Sequence, residues 1–353
     1  MKAFLAERRT EIAAFLEREL ATAEGPFSLI SPWGADVAQR LRGFSTRGKM
    51  IRGGLVAMGA QLFGTEANAD VVRAGAVMEL IQSFLLIHDD IMDRDTSRRG
   101  EESVFSQYAG LARAEGIEDW YHLGEALGTC VGDVAMLYAF DILEGLEGDD
   151  AVRSRVRRLV SREITYVGLA QMSDLYFGET QRPVSEQEVI DLYRYKTGRY
   201  TFSLPLSVGA VLAGRGDTEV AVLSRLGEKL GIIFQIKDDE LGLFGSETQT
   251  GKPQGSDIAE NKKTLFRQRL FDRASGAEQQ ELSRLFGNRE LSSDGVSRVL
   301  ELLRRHGIRE EIDEVLVSWA ERAREDVEEL ARTTDADVEM LRELLSYNLS
   351  RSS

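Results

Sequence analysis

Two apolar runs of helical periodicity, each ending in adjacent aspartates, constrain the fold of this chain more than any other feature. In the first, Phe84 to Ile87 run directly into Asp89, Asp90 and Asp93, and Val77, Leu80, Ile81, Phe84 and Leu85 repeat at helical spacing. In the second, Leu223, Leu226, Leu230, Ile233 and Phe234 lead into Asp238 and Asp239. On a helix, Asp89 and Asp93 are four apart and share a face. An ordinary solvated acidic face has polar neighbours upstream, so these carboxylates are expected at the mouth of an apolar pocket. Like charges gathered there repel one another unless a cation sits between them. Magnesium fits, because it binds through few carboxylates plus substrate phosphates. The pattern predicts a metal–diphosphate site. One such motif arises by chance on many helices; two, several helices apart, are a much stronger signal.

The rest of the chain suits helices. It has five prolines in 353 residues and is rich in Ala, Leu, Glu and Arg. No alternating strand of useful length is found. Ser185 and Glu188 after Pro183 form a capping box that predicts a helix running through Lys196. Breaks are expected at Ala23–Pro32, Gly145–Asp150, Gly178–Pro183, Gly214–Thr218, Gly245–Ser256 and Gly287–Gly295, none long enough for a flexible linker. The expectation is one all-α domain over residues 1–353, with a motif-bearing core at about 46–264 and C-terminal helices at about 290–350. The two helices ending in Asp-Asp suggest a pseudo-symmetric pair. A net charge of −15 argues against nucleic acid or an anionic membrane as main partner. The longest uninterrupted apolar candidate, Leu204 to Gly214, contains Pro205 and Ser207 and is too short for a membrane span. The single cysteine, Cys130, permits no internal disulfide and fits a reducing cytoplasm, and its helical context predicts a buried thiol.

An acidic protein that binds a diphosphate needs local cations. Candidates are Lys49 and Arg52 in Gly48-Lys49-Met50-Ile51-Arg52, Arg98 and Arg99 after the first acidic motif, Lys196, Lys252 and Lys262. Each alone reads as a surface charge. In this order and spacing, from about Thr46 to Thr264, the sequence resembles the trans-type polyprenyl diphosphate synthases, the family of farnesyl and geranylgeranyl diphosphate synthases. The resemblance implies an isoprenoid-synthase-type helical bundle around a central apolar cavity, and a homodimer. It implies that Lys49, Arg52 and Gln82 grip isopentenyl diphosphate, and that Arg98 faces the allylic diphosphate and Arg99 the isopentenyl one. Asp89 and Asp93 would bind two magnesium ions and Asp238 a third, with Asp90 and Asp239 completing the acidic set. Lys196, Lys252 and Lys262 would cage the diphosphate, Thr197 and Gln235 would lie along the reacting carbons, and Gln171 with Asp174 would line the cavity. The chain departs from the family at Gly242, where many members carry a third aspartate of the second motif. It also has Met50 and Gly53 in place of an arginine and a proline, and Asn261 in place of a glycine.

The activity so implied is magnesium-dependent, head-to-tail condensation of isopentenyl diphosphate with dimethylallyl, geranyl or farnesyl diphosphate. A terpene cyclase would carry Ser or Thr and then Glu where this chain has Gly242 and Ser246, and would leave Lys49, Arg52 and Arg99 unexplained. A non-catalytic subunit of a heteromeric synthase typically lacks the aspartate motifs. A phosphohydrolase built on His-Asp pairs needs more than the three histidines present. His88, next to Asp89, is expected to pack rather than to catalyse. Product length is expected to be set by Phe84, five residues before Asp89 and roughly 7.5 Å up the helix, with Leu85 and Ile81 beside it. In the family an aromatic at that position goes with short products, and aromatics at both the fourth and fifth positions with farnesyl. Leu85 at the fourth therefore favours geranylgeranyl diphosphate, with farnesyl next.

Overall fold

The structure is a computed structural model that describes residues 1–180, 182–245, 254–288 and 290–351. The chain divides into two compact units, Met1–Arg157 with Pro205–Arg215, and Arg158–Leu204 with Gly216–Ser353. Both are built from helices.

The first unit contains α1 (Lys2–Ile30), α2 (Trp33–Ser45), α3 (Ile51–Gln61), α4 (Ala69–Asp93), α5 (Val104–Ala114), α6 (Trp120–Glu144), the first turns of α7 (Asp150–Glu179), and nearly all of α9 (Leu204–Leu212). Helix α4 is its core. Asn68 caps it by accepting from Val71 N at 3.0 Å, Val77, Leu80 and Ile81 are fully buried, and Phe84 and Leu85 are half-buried. The helix stops at Arg94, which takes the left-handed conformation at φ 59°. A two-stranded ribbon follows, Ser97–Arg98 against Glu101–Glu102, which no strand pattern in the sequence announced.

The second unit holds the rest of α7, then α8 (Glu186–Leu192), a π-helix (Tyr193–Ser203) and α10 (Asp217–Phe244). Beyond α10 lie a short turn of helix at Ser256–Ala259 and helices Leu265–Arg273, Gly276–Leu285, Ser293–Arg305, Ile308–Thr333 and Glu339–Leu349. The capping box at Ser185 is present, with Glu188 N donating to Ser185 Oγ at 3.3 Å and Ser185 N to Glu188 Oε2 at 2.8 Å. The expected helix passes Lys196 as foreseen, but as a π-helix from Tyr193 onward. Leu223, Leu226, Leu230 and Ile233 are fully buried along α10.

One expectation is narrowed and two need correction. The break foreseen over Ala23–Pro32 falls only at its far end: α1 continues through Pro26 to Ile30, and Ser31 follows as its C-cap. The backbone donor lost at the proline is offset by packing just beyond it, where Phe27 meets Tyr138 edge-on at 5.4 Å. Cys130 is exposed, not buried, because α6 turns Gly124, Gly128, Val131 and Ala135 inward and leaves Cys130 on the other side. By length and composition, Ala69–Asp93 and Trp120–Glu144 are apolar enough to cross a membrane, although no uninterrupted run suggested it. In the first, 61% of that apolar window is buried inside the protein, and in the second 39%.

Candidate active site

In the first unit the acidic motif sits on the last turn of α4. Asp89 and Asp93 are both partly accessible, whereas Asp90 is fully buried. Asp90 was expected among the metal ligands, but its Oδ1 is taken by Arg98, whose Nε donates at 2.7 Å and whose Nη2 also donates. Burial pushes the Asp90 carboxyl up to about 6, against the pull of Arg98. Its Oδ2 is buried with no hydrogen-bond partner among the described residues. Arg98 also reaches Asp95 at 3.4 Å and Asp89 at 3.8 Å. The arginine that was expected to face a diphosphate is thus already oriented by the motif's own acids.

The Arg98-Arg99-Gly100 sequence makes this arrangement possible. Arg99 and Gly100 form the two-residue tip of the ribbon, with φ of 56° and 79°, the left-handed pair that a tight hairpin turn requires. The turn sends the two arginines to different places. Arg98 folds back on Asp90, and Arg99 reaches the end of α2 and the loop before α3: Nη1 donates to Phe44 O at 3.4 Å, and a Cβ at Gly48 would lie 3.3 Å from Nη2. Desolvation lowers the pKa of Arg99; Glu79 opposes that, while Arg98 and Arg52 add to it. The Arg99 side chain thus comes to the Gly48-Lys49 segment that leads into Arg52. Lys49 is exposed and Gln82 half-buried on α4. His88 packs as expected: its Nε2 is 3.1 Å from Thr129 O, and its ring meets Phe84 edge-on at 4.8 Å.

In the second unit, Asp238 is half-exposed and pairs with Arg351 at 3.1 Å, and Arg351 lies 4.1 Å over the Phe234 ring. Asp239, also expected to bind metal, is buried and accepts from Tyr193 Oη and, at 2.9 Å, from Gln235 Nε2. Burial pushes its carboxyl well above the usual range, helped by the charge of Asp257. Tyr193 further accepts from Leu265 N at 3.0 Å, so one buried phenol ties the π-helix, α10 and the Leu265 helix together. Lys196 and Asp174 form an ion pair, and Thr197 donates to Gln235 Oε1 at 2.8 Å. These pairs join residues that had been placed separately. Gln171 is half-buried. Lys262 contacts Glu260 at 3.1 Å and Asp257 at 3.3 Å; burial opposes its charge, but these acids hold it well above the ordinary lysine range. Lys252 lies outside the described residues.

The glycine at position 242 has a concrete structural reason. A Cβ there would fall 2.4 Å from Asp257 Oδ2. A carboxylate from the short helix at Ser256–Ala259 thus occupies the space that a third motif aspartate would need. Sequence reasoning missed Glu79, Tyr193 and Asp257. The clearest available signal was Glu79, a lone carboxylate within an apolar helix.

Among the described residues, no three acidic or histidine side chains converge as a ready-made metal cage. Asp89 and Asp93 in the first unit, and Asp238 in the second, are the motif carboxylates that remain accessible; in each unit they are hard oxygen donors, the type taken by a cation that keeps water and phosphate oxygens as most of its ligands.

Comparison with known proteins agrees with this chemistry. The family profile of polyprenyl synthetase matches residues 37–303, beyond both ends of the expected motif-bearing core. The geranylgeranyl diphosphate synthase of Sulfolobus acidocaldarius is 31% identical over 75% of this chain and 76% of its own length. That of Saccharolobus solfataricus is 30% identical over 87% and 88%. The crystal structure of geranylgeranyl pyrophosphate synthase from Corynebacterium glutamicum, in complex with isoprenyl diphosphate and magnesium, superimposes with a TM-score of 0.89. It is 28% identical and is covered to 99%, as is this chain. The fold and site define an all-helical synthase that acts on diphosphates. The chain belongs to the polyprenyl synthetase family, and it is a short-chain trans-prenyltransferase.

Proposed function

We propose that this protein condenses isopentenyl diphosphate head-to-tail with an allylic diphosphate (dimethylallyl, geranyl or farnesyl) and releases mainly geranylgeranyl diphosphate, with farnesyl diphosphate as the next product. The observation that carries the reading is the hairpin after α4, which sends Arg98 to the first acidic motif and Arg99 to Phe44 and Gly48, just before Lys49 and Arg52. One reaction that joins two diphosphate substrates needs two such cation groups, and a cyclase needs one.

Lys49, Arg52, Gln82 and Arg99 hold the isopentenyl diphosphate and fix its double bond, positioning that is worth several kcal/mol when the reactive partner is short-lived. Arg98, held by Asp90, binds the allylic diphosphate, and Lys196 and Lys262 meet the charge that develops as it leaves. Magnesium, three ions with bound diphosphate, would sit on Asp89, Asp93 and Asp238 and supply Lewis-acid neutralisation of the leaving group. Apolar walls exclude water that would otherwise quench the activated allyl group. The terpene-cyclase alternative gains no support from Gly242, whose space is filled by Asp257. We further propose that residues 1–353 act as one domain, that the enzyme is cytoplasmic, and that it is a homodimer. Leu111 and Leu137, left exposed on α5 and α6, are surface of the kind that contact between copies covers.

Product length tests this reading. Phe84 sits five residues before Asp89 on α4, with Ile81, fully buried, a further three residues up the helix. Phe84→Ala is expected to lengthen the products and Leu85→Phe to shorten them, as seen by chromatography after dephosphorylation. An unchanged distribution in both variants would place the chain-length floor on another element.

A further inference from the structure

Glu79 is a carboxylate on the core helix α4, buried and 6% exposed, three residues before Gln82. No part of the reaction described above uses it. Its side chain crosses to the start of α3, where Gly53 N donates to Oε1 at 2.8 Å and the Arg52 backbone also donates to it. Helix α3 has no cap of its own: its N-cap is Met50, which is buried, holds a left-handed φ of 49° and makes no side-chain cap bond. The donors that a helix start leaves unpaired are met here from another helix. The approach is close enough that a Cβ at Gly53 would lie 2.9 Å from Gly75 O, so glycine replaces the family's proline at that position for contact with α4. Burial raises the Glu79 carboxyl, while the charges of Arg52 and Arg99 and the backbone donors of Gly53 and Arg52 pull it back down, so the acid faces two guanidinium groups that otherwise repel one another.

We propose that Glu79 is a positioning residue for the isopentenyl diphosphate site. It fixes the first turn of α3, and with it Lys49 and Arg52, and it supplies the common counter-charge that keeps Arg52 and Arg99 together before the anion arrives. This rests on the reading that Lys49, Arg52 and Arg99 bind isopentenyl diphosphate.

The test is Glu79→Gln in the full chain, which preserves shape and an acceptor oxygen but removes the charge. The KM for isopentenyl diphosphate should rise about tenfold or more, while that for geranyl diphosphate stays within about twofold. Isopentenyl diphosphate binding alone, measured by titration calorimetry without an allylic partner, should weaken by the same factor. Glu79→Asp, which keeps the charge and guards against a failure of Glu79→Gln to fold, should lie between wild type and Glu79→Gln. Equal loss for both substrates in either variant would make Glu79 a packing residue and overturn the inference. Tighter isopentenyl binding would also overturn it, since the charge would then merely oppose the ligand. Arg52→Ala, run in parallel, separates the two ideas. If it leaves isopentenyl binding intact, the site assignment is wrong; if it weakens binding and Glu79→Gln does not, only the role of Glu79 falls.

Discussion

The acidic motifs at the ends of α4 and α10 are alike in their first two residues and differ in what surrounds them. In each, the first aspartate is accessible and the second is buried against protein donors. The buried partner of Asp90 is a cation, Arg98, delivered by the hairpin turn. Asp239 is held by neutral groups, Tyr193 and Gln235. One helical turn on, Asp93 presents a carboxylate from α4 itself, whereas Gly242 makes room for Asp257 from the short helix at Ser256–Ala259. The first motif therefore carries two accessible carboxylates and an oriented arginine within one short segment. The second offers one accessible motif aspartate, Asp238, already in contact with Arg351, and draws its other charges from elsewhere in its unit.

That contrast predicts unequal consequences for equivalent mutations. The largest effect is expected at Asp89. Asp89→Ala should lower kcat by several orders of magnitude, about 4 kcal/mol or more of barrier, and Asp238→Ala by clearly less. Equal losses, or a loss within about tenfold at Asp89, would erase the proposed asymmetry in metal binding. The next effect concerns the buried aspartates. Asp90→Asn removes the nearest counter-charge of Arg98 and should raise the KM of the allylic substrate about tenfold, much as Arg98→Ala does. Asp239→Asn keeps an acceptor for Tyr193 and should change that constant far less. Steady-state kinetics on these three variants would show whether Asp90 acts through Arg98; similar values for the two asparagine variants would say that it does not.

The smallest effect is expected at the third position of the second motif. Gly242→Asp restores the family's commoner residue on paper, but its side chain meets Asp257. It should lower thermal stability by roughly 1–3 kcal/mol without improving magnesium dependence. A stable Gly242→Asp enzyme that needs less magnesium would show that the site lacked a carboxylate after all.

Much of this was legible in the sequence, for identifiable reasons. Apolar residues repeating at helical spacing through Val77–Leu85 and Leu223–Phe234 gave both motif helices, because burial of one stripe is what makes a helix in a protein. The capping box at Ser185 marked its helix start because the signal is local, three residues long. What could not be read depends on contacts distant in sequence. Nothing near Asp90 distinguishes it from Asp89; only the hairpin that returns Arg98 does. Nothing near Gly242 points to Asp257, fifteen residues on. Lys196 and Thr197 lie in a π-helix, a local widening that the sequence gave no reason to choose over an α-helix. Cys130 was misplaced because an apolar helix with polar residues on one side does not declare which side meets its neighbours. The end of α1 within Ala23–Pro32 could not be fixed from sequence, because packing of Phe27 against Tyr138 carries the helix past Pro26.

The central claim is that two diphosphate substrates are joined by one chain. It is tested most directly by following labelled isopentenyl diphosphate with the purified protein and magnesium, with and without geranyl diphosphate. The expected result is incorporation into a longer acid-labile prenyl diphosphate only when both substrates and the metal are present, with chelation abolishing it. Consumption of geranyl diphosphate to a hydrocarbon with no isopentenyl incorporation would contradict the claim, and would identify the cation group at Lys49, Arg52 and Arg99 as something other than a second substrate site.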